Sequence, residues 1–243
     1  MSLQDDLNEI YAPLLDRNNV LRALDAKDPS ILSTFYGPFL LAVGDAYEKL
    51  SPRVVIVGQE NNGWMACHYR DVLQTLTIDD CLAEYRRFDI AEYGYGAFGR
   101  YFAQLRDAFR GPVTEENRRS VLWTNLFKLN HDGQQTIYSP HLDTILALQG
   151  DIVKKEIEIL RPDVVVFLTG PRYDSIIRCF WPGVAFEQVQ ELPVGEIAQV
   201  KHIGLPSLSF RTYHPGYLNR VLKVKPYLIQ SIVDPVLAEF PHS

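Results

Sequence analysis

Apolar positions along the chain fall into two alternating rhythms. Leu3, Leu7, Ile10, Tyr11, Leu14 and Leu15 recur at helical spacing and predict a helix over residues 3–17. A second apolar-rich stretch, from Ile31 to Leu50, is also expected to be helical, interrupted at Gly37-Pro38. The pattern then changes. Arg53 to Val57 is an unbroken β-branched run closed by Gly58, as in a strand buried on both faces. Two similar runs follow, Ser120 to Thr124 ending at Asn125, and Asp163 to Leu168 ending at Thr169-Gly170. Before the last of these, Leu142, Ile145, Leu146, Val153, Ile157 and Leu160 predict a helix weakened at Gly150 and stopped by Pro162. Ile197–Ile203 and Leu208–Tyr213 are expected strands, and Tyr217–Phe240 an expected closing helix broken at Pro226 and Pro235.

Strands alternating with helices imply βαβ crossovers. The expected fold is a three-layer α/β/α arrangement with a mainly parallel central sheet. No repeat or low-complexity linker divides the 243 residues, so a single domain over 1–243 is expected, with 1–50 as an N-terminal helical extension. Hydrophobic residues at 47% and charged residues at 22% suffice for a sizeable core and argue against wholesale disorder. A net charge of −6 argues against a globally basic nucleic-acid coat protein. Cys67, Cys81 and Cys179 are too far apart for a local metal-ligand pair or a disulfide framework. The start, MSLQDDLNEI, is acidic where a signal peptide is basic, and no apolar run reaches about 18 residues. A cytoplasmic, monomeric protein with no membrane association is expected.

In open parallel sheets, ligands gather at the C-terminal ends of the strands. Those positions are polar here: Gly58-Gln59-Glu60-Asn61-Asn62-Gly63-Trp64 after the first strand, Asn125 after the second, Thr169-Gly170-Pro171-Arg172 after the third and His214-Pro215-Gly216-Tyr217 after the last. His68, His131, His141, His202 and His242 show no ligand spacing, and no metal is expected. From Ile197 to Val233 there is no Asp or Glu, while Lys201, Arg211, Arg220, Lys223 and Lys225 form a basic stretch around His214. This suits a phosphate-contacting rim for Arg211 and Arg220, joined by Arg172, or else a solvated face. The stretch from Tyr93 to Phe102 and Trp64 add aromatic rings that would suit base stacking or simply the core.

These pieces, in this order, resemble the uracil-DNA glycosylase superfamily, which has a Gly-Gln-Asp-Pro-Tyr type motif, a strand ending in Asn, a Pro-preceded strand ending in Gly and a late His-Pro-Ser motif. The counterparts span Val54 to about Leu218. The resemblance implies the family's fold, release of a base from nucleic acid, DNA more than RNA, and no cofactor. It places Glu60 where a carboxylate orients water and stabilises the cationic sugar, and His214 where a histidine stabilises charge on the departing base. Asn125 falls where an amide reads the base edge, and Gly58, Gln59 and Asn61 fall in the water-and-base loop. Tyr217 or Leu218 falls where an apolar wedge fills the gap left by a flipped base. The chemistry is coherent, because cleaving an N-glycosidic bond builds positive charge on the sugar and negative charge on the base.

The departures are Glu60 for the family's Asp, Asn61 and Asn62 for its Pro and Tyr, and Gly216 for its Ser. That Tyr helps the family exclude thymine, so base specificity does not carry over. Simpler roles remain open: turn residues for Glu60 and Asn61-Asn62, a strand-end histidine for His214, a cap for Asn125. Two alternative functions stay open, a non-catalytic nucleic-acid or nucleotide binding module on the same fold and a hydrolase of free nucleosides.

Overall fold

The computed structural model describes residues 2–25, 27–61, 63–88, 90, 96–221, 225 and 227–241. Asn62, Tyr93, Gly94, Tyr95, Lys223, Pro226 and His242 lie outside the described residues. In chain order the helices are α1 (Leu3–Leu15), α2 (Arg17–Ala23), α3 (Asp45–Lys49), α4 (Tyr69–Thr75), α5 (Ile78–Arg87), α6 (Gly96–Arg110), α7 (Leu142–Gln149), α8 (Ile152–Leu160), α9 (Asp174–Phe180), α10 (Pro215–Val221) and α11 (Tyr227–Glu239). The strands are β1 (Phe35–Tyr36), β2 (Val54–Gly58), β3 (Val121–Asn125), β4 (Asn130–His131), β5 (Val164–Phe167), β6 (Ala185–Gln188), β7 (Ile197–Lys201) and β8 (Leu208–Thr212). They divide into two compact units, one of residues 1–42, 59–88 and 124–160, the other of 43–58, 89–123 and 161–243. The chain passes from one unit to the other directly after β2 and again within β3.

The second unit carries an α/β sheet in the order β3-β2-β5-β8-β7-β6. Its centre is parallel, with Val54 beside Val164 and Val164 beside Leu208, while β7 and β6 add on antiparallel. Every residue of β2, β5 and β8 is buried, which is why these strands show as unbroken apolar runs. Asp163 Oδ2 accepts from the Arg53 backbone N–H at 2.7 Å and its carboxylate pairs with the Arg53 guanidinium, so β2 and β5 start in register. The C-terminal ends of β2, β5 and β8 therefore share one edge of the sheet. β6, unanticipated from the sequence, is the exposed edge strand, and its polar, unpatterned residues reflect that position.

In the first unit α1 packs its buried Leu7, Tyr11 and Leu14 toward α8 and α5. The stretch 31–50 is not the expected helix. It forms a 3-10 turn (Pro29–Thr34), β1, an extended segment and, in the second unit, α3. The cause is Gly37, held at φ +113° where a Cβ would lie 2.6 Å from the Lys128 carbonyl oxygen. The same carbonyl accepts from the Phe39 N–H at 2.8 Å, which fixes this segment as extended chain. The helix expected over 142–160 is two, because Gly150 ends α7 at φ +53° while its N–H donates to the Leu146 carbonyl. The closing segment is likewise α10 and α11, and α11 runs through Pro235, giving up the one donor that proline lacks.

Among the described residues no helix is long and apolar enough to cross a membrane. Cys67, Cys81 and Cys179 are free thiols.

Candidate active site

Glu60 lies two residues beyond β2, in the first unit, half-buried. Its Oε2 accepts from the Thr136 backbone N–H at 2.8 Å and again from the Thr136 hydroxyl. Thr136 is fully buried, and its Oγ1 also accepts from the His131 N–H at 3.2 Å. One residue thus clamps the carboxylate from two directions and is itself clamped. Two donors committed to one oxygen fix the orientation of the carboxylate.

The clamped carboxylate lines a cleft of about 600 Å³ within the first unit. Tyr36, Asn130, His131, Asp132 and Gln134 form much of the remaining wall. Tyr36 is stacked on His68 with ring centroids 4.6 Å apart, and Gln134 Nε2 lies 2.9 Å from His131 Nδ1. Asn130 Oδ1 accepts from the Gly63 N–H at 3.3 Å. Beyond Gly63, Met65 and the cleft-lining Ala66 hold left-handed backbone at φ 67° and 49°. Such conformations in residues other than glycine gather at functional sites, where packing sustains the strain.

Two neighbouring residues of the motif loop are bonded to the chain beyond β3. The Gln59 carbonyl accepts from the Phe127 N–H at 3.0 Å, and Asn61 Nδ2 donates to the Lys128 carbonyl at 3.1 Å. Both bonds tie the loop to the segment after β3. Asn125, the last residue of β3, is buried in the same unit. Trp64 is buried edge-on against Phe39 and Phe88, with centroids 4.8 and 5.4 Å away, the packing role of the two open to it.

The second unit gathers its own set. Gly58 is the buried end of β2. After β5, the Gly170 N–H donates to the Thr212 carbonyl at 2.9 Å, and a Cβ on Gly170 would sit 3.5 Å from the His214 backbone nitrogen. The loops after β5 and β8 are therefore in contact, which brings the Thr169–Arg172 turn against His214. Gly216 donates its N–H to His214 Nδ1 at 3.2 Å, so the neutral ring carries its proton on Nε2. Burial lowers the His214 pKa below its ordinary value, favouring that neutral form. Gly216 suits this contact, because a Cβ there would meet Nδ1 at 3.2 Å and force the ring to give way.

Two expectations in this unit are corrected. Arg211 is fully buried, its guanidinium bound to Asp174 at 2.9 and 3.0 Å and to the Val194 carbonyl at 2.9 Å, so it faces no phosphate. Burial raises the Asp174 pKa and Arg211 opposes that rise, as in a paired interior charge. Leu218 is also fully buried, so it presents no wedge. Lys225 is drawn into an ion pair with Glu196, which further thins the basic stretch. Arg172, Tyr217 and Arg220 are exposed.

Thr136 was missed by sequence reasoning because it lies 76 residues from Glu60, beyond any local spacing. The one signal was the polar run from Asn130 to Thr136 directly after an apolar segment. Among the described residues no group of three or more His, Cys, Asp or Glu is arranged to hold a metal ion. No protein-family model and no curated protein matches the chain.

Proposed function

We propose that this protein is an N-glycosyl hydrolase of the uracil-DNA glycosylase type, with the three-layer α/β/α form of that family, releasing a base from DNA. The observation that carries the reading is the Glu60 carboxylate, clamped by Thr136 and lining a polar cleft. A fixed carboxylate is what a reaction through a cationic sugar requires, because it orients the attacking water and stabilises the charge that develops. The extra methylene of Glu60 relative to the family's Asp is offset by a clamp that holds one oxygen in place.

In the second unit, taken by itself, His214 is a group of the kind such chemistry uses. A neutral imidazole with its proton on Nε2 donates a hydrogen bond to the base as it departs with negative charge. Within the first unit, Asn125 carries the base-edge contact. Water adds to the anomeric carbon as the C–N bond breaks, leaving an abasic sugar and a free base, with no cofactor needed to balance the step.

Replacing Glu60→Gln or His214→Ala is expected to lower single-turnover base release about a hundredfold or more while leaving oligonucleotide affinity nearly unchanged. Unaffected turnover in either variant would remove that residue from the mechanism.

A further inference from the structure

We infer that His131 is a catalytic residue of the Glu60 cleft, an imidazole that hydrogen-bonds to the base as it departs. The inference deepens the glycosylase reading and rests on it for the reaction. His68, His131 and His141 belong to the first unit, and of these three His131 lines the cleft that Glu60 lines. Thr136 sets both groups on one frame. Its N–H and hydroxyl hold the Glu60 carboxylate, and its Oγ1 accepts from the His131 N–H at 3.2 Å. The role draws on groups of the first unit alone.

The backbone of His131 is held in β4 opposite Phe35, and Asn130 Nδ2 donates to its carbonyl at 3.3 Å. Its half-buried ring packs edge-on to Phe35, with centroids 6.1 Å apart, and lies 5.6 Å from the ring of His141. Gln134 Nε2 is 2.9 Å from Nδ1, and an amide nitrogen only donates, so Nδ1 accepts and the neutral ring carries its proton on Nε2. Nε2 itself has no hydrogen-bond partner among the described residues. The result is a positioned donor without an acceptor, in a cleft whose lining residues include no Lys or Arg. A donor fixed in advance stabilises charge that appears only in the transition state. When the C–N bond breaks, its electron pair leaves with the base and the charge spreads onto ring nitrogens and carbonyl oxygens. The Nε2–H meets that charge with a hydrogen bond and keeps its proton. The attacking water gives up one proton and the base takes one from solvent, so the step balances.

The test measures single-turnover base release and oligonucleotide affinity for the full chain and for His131→Ala, His131→Phe and His131→Gln, with thermal melting to check that each is folded. The substrate is an oligonucleotide carrying whichever of uracil, hypoxanthine and xanthine the wild type releases. His131→Phe keeps a ring against Phe35 without the donor, and His131→Gln keeps an N–H near the place of Nε2. The expected result is a rate about a hundredfold lower in His131→Ala and His131→Phe at unchanged affinity, with part of the loss recovered in His131→Gln. A rate in His131→Phe within about threefold of wild type, a loss confined to affinity, or equal losses in His131→Phe and His131→Gln overturns the inference. Glu60→Gln assayed alongside separates the two claims. Release abolished by Glu60→Gln but kept in His131→Phe removes His131 and leaves the glycosylase reading standing, while a wild type that releases none of the three bases removes both.

Discussion

His214 shows how one buried contact sets the chemistry of a side chain. Burial disfavours its charged form, and the Gly216 N–H occupies Nδ1, so the ring is a neutral donor through Nε2. An NMR titration of the His214 ring is expected to show a midpoint below 6.5, the ordinary value. Because the unfolded chain takes up that proton first, His214 contributes stability that is present above 6.5 and is lost as the pH falls through the lowered folded-state value. A midpoint above 6.5 would contradict the account. At this scale the residues closing apolar strands were legible in the sequence: Glu60, Gly170 and His214 stand where unbroken runs end. Arg211 was not, because a run of basic residues says nothing of which one is buried, and its partner Asp174 lies 37 positions away. Leu218 was misread for a related reason, since the sequence does not show which of two adjacent residues the start of a helix turns inward.

The elements of the first unit are joined by a buried polar network. Lys128 and Glu156 form an ion pair with both side chains fully buried. The Tyr11 hydroxyl donates to Glu156 at 2.5 Å, the Thr124 hydroxyl donates to it at 2.7 Å, and Lys128 Nζ reaches both carboxylate oxygens at 2.6 and 2.7 Å. The network ties α1, the end of β3 and α8 together. Burial lowers the Lys128 pKa against the opposing pull of Glu156, and burial together with Glu156 raises that of Tyr11. Replacing Lys128→Met leaves a buried carboxylate without its cation, and a loss of about 3–5 kcal/mol in urea unfolding is expected. A loss below about 1 kcal/mol, typical of an exposed pair, would show that the network carries little of the fold. Neither this network nor the split of 142–160 at Gly150 follows from periodicity, which reports one face of one element and not the partners that element finds.

On the scale of the molecule, the sheet of the second unit was largely legible, since parallel strands buried on both faces leave continuous apolar runs. The first unit was not, because it is assembled from three separated stretches, 1–42, 59–88 and 124–160, whose association is non-local. The same interleaving hid the cleft, where Glu60 meets a polar loop that begins at Asn130. The molecule is acidic overall, and its basic stretch is thinned by the Arg211–Asp174 and Lys225–Glu196 pairs. If the glycosylase reading proposed above holds, binding of DNA draws on few phosphate contacts. The most direct measurement is free-base release, by mass spectrometry, from single-stranded and duplex oligonucleotides carrying uracil, hypoxanthine or xanthine, with wild-type protein and the Glu60→Ala variant. The account predicts free base and an abasic site with at least one of them, abolished by Glu60→Ala. No free base from any of them with folded wild-type protein, or release that survives loss of the carboxylate, would contradict it.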